Sequence, residues 1–199
     1  AEGIAKIKGG ILTSDNGVEI CMNRIYGCGH WNYAPDAEMM WEFMSKYSRD
    51  VTTGKTVRDD VIYGTEKVFV VGDDWGPAVN KVMLTLDEDV NASDLDPTTF
   101  TVKETKESTN WADLSVYNAT APRTVLDVYL SDDKGNKVNA QKGNVVTVEM
   151  YISPNEGSPF RYDVPTGSNK WVNYYQLTVN GKAKDKMINV DQVLDLKDH

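Results

Sequence analysis

Val82-Met83-Leu84-Thr85-Leu86 puts Val82, Leu84 and Leu86 on one side of an extended chain, with Met83 and Thr85 on the other. Val146-Thr147-Val148-Glu149-Met150 repeats the alternation further along. A period of two marks strands with one face against a core. Working outward from these two, residues 67–71, 99–104, 124–130, 175–179 and 187–190 read as further strands, as do the fuller segments 81–86 and 145–152. Asp132-Asp133-Lys134-Gly135-Asn136 has the residues of a hairpin turn, and residues 87–97 read as an acidic loop.

About seven short strands separated by polar turns predict a mainly β fold, an immunoglobulin-like β-sandwich. Residues 1–58 have a different character. Ser14-Asp15-Asn16-Gly17 is a turn signal, residues 18–25 read as a strand, and Gly27-Cys28-Gly29-His30 is a tight exit from it. A helix is expected from Asp36 to about Tyr47, with Met39, Met40, Phe43, Met44 and Tyr47 at helical spacing and Asp36 and Glu38 at its positive end. One strand and one helix cannot bury their apolar faces alone. Met39, Met40 and Phe43 therefore need a partner, either the sandwich or a second copy of the chain. The expected organisation is a strand-loop-helix segment at 1–58, a linker at 59–65, the sandwich at 66–190 and a tail at 191–199.

A net charge of −9 and a pI near 4.7 argue against nucleic acid and against anionic membrane surfaces, both of which need a basic face. A neutral polymer such as a polysaccharide suits this balance. No apolar run reaches bilayer length. No charged stretch followed by an apolar core opens the sequence, so a signal peptide is expected to be absent or already removed. Cys21 and Cys28 do not make a zinc site; they either bridge across a tight hairpin or are reduced and packed. No cofactor and no metal ion is expected.

His30 is the one histidine placed for chemistry, on a loop between a rigid strand and an amphipathic helix. It is a candidate catalytic base. Trp31 and Tyr33 flank it, and they either border a substrate pocket or pack on the following helix. Trp171, Tyr174 and Tyr175 form the best candidate platform for sugar rings, with core packing or contact with a hydrolase domain as the competing reading. Asp87, Glu88, Asp89, Asp94 and Asp96 lack the spacing of a calcium loop and read as solvated. In Asp73-Asp74-Trp75-Gly76-Pro77 the Gly and Pro shape a turn across which the Trp is buried.

Ile25-Tyr26-Gly27-Cys28-Gly29-His30-Trp31-Asn32-Tyr33, followed by Trp41-Glu42-Phe43-Met44, resembles the C-terminal end of α/β-hydrolases of the polyhydroxybutyrate depolymerase and feruloyl esterase group. Val71-Gly72-Asp73-Asp74-Trp75-Gly76-Pro77, Pro154-Asn155-Glu156-Gly157-Ser158-Pro159-Phe160 and Asn169-Lys170-Trp171 resemble the immunoglobulin-like domain attached to bacterial esterases of that group. The order departs from the family's usual one, in which the immunoglobulin-like domain comes first. No glycine of this sequence is followed two residues later by serine, so the Gly-x-Ser-x-Gly nucleophile elbow is missing. The acid is missing too unless it is Asp15, whose context reads as a turn. The resemblance implies a fragment of a secreted or cell-surface serine carboxylic-ester hydrolase, inactive alone, with His30 as the triad base and a polysaccharide or plant-wall ester as substrate. It implies a partner hydrolase domain, in the parent protein or in a second copy of the chain. The alternative is a non-catalytic carbohydrate-binding or spacer module.

Overall fold

The structure, a computed structural model, describes residues 7–13, 19–25, 36–49, 51–52, 54, 56–110 and 112–195. They fall into two compact units that divide between Asp59 and Asp60.

In the first unit, β1 (Ile7–Thr13) pairs antiparallel with β2 (Glu19–Ile25), matching Thr13 to Glu19 and Ile7 to Ile25. Helix α1 (Asp36–Met44) is followed by β3 (Tyr47–Arg49), which pairs antiparallel with β4 (Thr56–Arg58). The expectation of one strand and one helix is thus corrected to four strands and one helix among the described residues. The helix also stops short of Tyr47. Its last turn closes with the Ser45 N–H on the Trp41 carbonyl (2.8 Å); Tyr47 then joins a ladder, while its ring stays 5.2 Å from Phe43. Met40, Trp41 and Met44 are exposed, whereas Met39 and Phe43 are half-buried.

The second unit is the sandwich. It begins earlier than expected, because the predicted linker enters the sheet: β5 (Val61–Ile62) pairs parallel with a strand near the end of the chain and buries Ile62 in the core. The remaining strands are β6 (Gly64–Asp73), β7 (Gly76–Asn91), β8 (Thr101–Thr109), β9 (Val116–Arg123), β10 (Val125–Leu130), β11 (Lys142–Met150), β12 (Phe160–Asp163), β13 (Ser168–Trp171), β14 (Tyr174–Ala183) and β15 (Lys186–Asp195). One sheet runs β10-β11-β7-β6 and the other β5-β15-β14-β8-β9, with β12 and β13 forming a separate hairpin. Apart from β5, every neighbour is antiparallel.

The core lies between the two sheets because alternate residues of each strand meet there. Val82, Leu84 and Leu86 of β7 and Val146, Val148 and Met150 of β11 face Leu177 and Val179 of β14 and Ile188 and Val190 of β15. At roughly 1.5–3 kcal/mol for each fully buried aliphatic side chain, this is the main term holding the sheets together. The immunoglobulin-like architecture is therefore the one that the alternation predicts.

Several boundaries move. Residues 87–91, expected as acidic loop, continue β7, and only then do two short 3-10 turns follow, the second capped by Asp96. The charges are individually engaged: Glu88 pairs with Lys186, Asp89 with Lys142, and the Asp94 carboxylate accepts from Asn91. The expected tail begins inside β15, which runs to Asp195. Strand β9 and the β12–β13 hairpin carry no clear alternation in sequence, and both are additions. Strand β9 includes Pro122, which is tolerated because β9 is the sheet's edge.

Candidate functional site

Two features of the sandwich combine polar chemistry with a defined geometry. The first is inside. Arg123 ends β9 where the chain crosses from one sheet to the other, and its side chain is completely buried. Nη1 donates to the Tyr175 hydroxyl (2.8 Å) and to Glu104 Oε2 (3.3 Å), both in the five-stranded sheet. Nη2 donates to the carbonyls of Val79 (2.8 Å) and Tyr151 (2.9 Å), on β7 and just beyond β11 of the other sheet. Nε faces Glu156 Oε1 at 3.6 Å. One guanidinium therefore bolts the sheets together.

Its neighbours complete the network. The Tyr175 hydroxyl donates to Glu104 Oε2 (2.6 Å), and Lys106 Nζ pairs with Glu104 Oε1 (2.7 Å). Burial pushes the Tyr175 phenol well above the usual tyrosine range, with Arg123 opposing that shift and Glu104 adding to it. It stays a neutral donor. Two acids, Glu104 and Glu156, balance two bases, Arg123 and Lys106, and the cluster carries no net charge. With Arg123, Glu104 and Tyr175 buried, the set is a structural clamp, and only Lys106 also reaches an open surface.

The second feature is an open groove of about 520 Å³. Lys106 and Ser108 of β8 and Tyr117 and Ala119 of β9 line one part of it. The β12–β13 hairpin contributes Phe160, Arg161, Tyr162 and Asn169, and Trp75 and Asn155 come from adjoining turns. Trp75 sits in the two-residue turn between Asp73 and Gly76, half-buried against the groove instead of enclosed by its own turn. Gly76 is at φ +122, and a Cβ there would stand 3.1 Å from the Phe160 ring, so the turn and the hairpin pack through the missing side chain.

The predicted sugar platform divides three ways. Tyr175 is fully buried, with its hydroxyl in the Arg123 network, so it offers no face for stacking. Tyr174 points to the opposite face of β14 and donates to Asn118 Oδ1 (3.2 Å). Consecutive residues of a strand cannot share a face, so the pairing of these two in one platform is corrected. Trp171 is on β13, half exposed, with its ring edge-to-face on Phe160 at 4.3 Å. His30, Trp31 and Tyr33 lie outside the described residues, as do Asp15, Cys28 and His199. Among the described residues no cluster of His, Cys, Asp and Glu has the makings of a metal site, and no helix is long and apolar enough to cross a membrane. Reading the sequence missed Arg123, Tyr117 and Arg161. Of these only Arg123 left a signal, as a lone cation beside the Thr124–Leu130 alternation.

Residues 67–189 match the family model described as the esterase Ig-like N-terminal domain. The chain belongs to that family. The match covers the sandwich from β6 into β15, and it contains the Arg123 clamp and every residue that lines the groove. None of the curated proteins matches the chain. A solved structure described as the crystal structure of a thermostable esterase is similar at 18% identity and a TM-score of 0.44, over 66% of this chain and 34% of that one. This esterase Ig-like domain with its preceding segment thus spans about a third of that neighbour's length.

Proposed function

We propose that the chain is a fragment, inactive alone, of a secreted or cell-surface serine ester hydrolase acting on carbohydrate or feruloyl esters, together with its immunoglobulin-like accessory domain. The carrying observation is the esterase Ig-like match across the sandwich in a sequence with no nucleophile elbow. Acyl transfer of this kind needs a serine, a histidine to take its proton and an acid to orient the histidine. His30 is the one corner this sequence offers, in the loop that resembles the histidine loop of the polyhydroxybutyrate depolymerase and feruloyl esterase group. The serine and the acid are then supplied by a partner hydrolase domain. Incubated with p-nitrophenyl acetate or methyl ferulate, the chain is expected to release product no faster than buffer. Turnover that disappears in His30→Ala would overturn this reading.

A second reading, a carbohydrate-binding module, is favoured by Trp171, whose half-exposed ring is braced by Phe160 on a short hairpin. Rigid exposed aromatic faces are what sugar rings stack on. On this reading the chain is retained by insoluble xylan. Trp171→Ala is expected to abolish retention while leaving the thermal unfolding midpoint within a few degrees, and equal retention of both proteins would exclude the platform.

A further inference from the structure

We infer that the groove beside the β12–β13 hairpin is a binding site for a short acidic oligosaccharide, one whose sugar ring carries a carboxylate. Neither reading above requires it: the esterase assignment needs no ligand on the sandwich, and the Trp171 platform does not depend on charge.

The argument starts from charge. The chain carries −9 overall, yet no acidic residue lines this groove, while Lys106 and Arg161 do. The Lys106 charge is already matched by Glu104 at 2.7 Å. Arg161 is different. Its guanidinium lies over the Tyr117 ring, 4.6 Å from the centroid, which joins the hairpin to edge strand β9. Among the described residues no carboxylate pairs with it and no protein acceptor takes its N–H groups. Stacking holds the plane of a guanidinium and leaves its edge free, and that edge matches a carboxylate in two parallel hydrogen bonds.

The rest of the lining suits a sugar. Tyr162 is largely exposed, and Trp75 and Phe160 are half-buried, so flat apolar faces border the groove. Asn155 and Asn169 add exposed amides, which both donate to and accept from hydroxyls. A volume of about 520 Å³ falls within the range of roughly 300–1,000 Å³ usual for small-molecule sites. The acidity of the whole chain does not forbid an anionic ligand here. The lining itself carries two basic side chains and no carboxylate.

The test is calorimetric titration of the chain with three probes: a glucuronic acid-bearing xylo-oligosaccharide, the neutral xylo-oligosaccharide of the same length, and free ferulate. Saturable binding is expected for the acidic sugar, with the neutral one about tenfold weaker or more, as loss of a charge-assisted pair requires. Arg161→Ala is expected to reduce affinity to that of the neutral sugar, and Arg161→Lys to recover part of it. Both residues of the stack are at the surface, so unfolding midpoints should stay unchanged, and Tyr117→Leu provides a second variant that loosens the guanidinium without removing charge. Equal affinity for the charged and neutral sugars, binding indifferent to Arg161→Ala, or no saturable binding of the acidic sugar would each overturn the inference. Saturation by ferulate without the acidic sugar would overturn the sugar assignment in favour of a phenolic acid. In Trp171→Ala the preference for the acidic over the neutral sugar should persist, since Arg161 remains, and this separates the groove from the xylan platform.

Discussion

Arg123→Ala is expected to lower the unfolding free energy by about 3–5 kcal/mol, read from urea denaturation, because it removes one partner of a buried ion pair. The truncation takes the guanidinium from buried Glu104, leaving it Lys106 and the Tyr175 hydroxyl, and takes the donor from two carbonyls of the opposite sheet. Lysine is a poor replacement, since a single ammonium cannot serve both sheets in this fork geometry. The contrast that isolates the cause is a double replacement. Arg123→Met with Glu104→Leu removes both buried charges of the pair and leaves only the partly exposed Lys106 without its carboxylate, and part of the loss should return. If Arg123→Ala cost no more than a surface change, about 0.5 kcal/mol, the clamp would not hold the sheets.

Gly157→Ala is the second large effect, about 2–4 kcal/mol by the same measurement, combining backbone strain with overpacking. Gly157 is at φ +86, and a Cβ there would stand 2.5 Å from Arg123 Nη2 and 3.1 Å from the Val79 carbonyl oxygen. Ordinarily the end of an arginine would swing aside. Here its bonds to both sheets hold it, while the Gly157 carbonyl itself accepts the Val79 N–H (2.9 Å). Because the two sites share one network, Arg123→Ala with Gly157→Ala should cost less than the sum of the singles. Strict additivity would show that strain at φ alone explains the glycine.

The loop from Pro154 to Phe160, one of the stretches that carry the resemblance in the sequence, thus has a physical role: its glycine lets the backbone close over the guanidinium. The motif is legible in residue order, but its partner is not. Arg123 is distant from Gly157 along the chain, and nothing in residue order announces that a crossing between sheets brings them together. The pairing of Tyr174 with Tyr175 in one platform fails for a different reason. Tyr174 and Tyr175 resemble one aromatic surface because they are adjacent, yet strand geometry separates adjacent side chains to opposite faces. That separation follows from the period of a strand alone and needs no distant contact.

The alternation of Val82 to Leu86 and of Val146 to Met150 determined by itself that two sheets would bury a common apolar layer, since side chains two apart must share a face. The missing nucleophile elbow and the turn at Gly135 were equally local matters. Only the tertiary structure decided that 61–62 belongs to the sheet, that β9 forms its edge and that Arg161 lies over Tyr117. Each of these depends on contacts between segments far apart in sequence. A short, polar or uneven segment has too little periodicity of its own to disclose which neighbour will complete it.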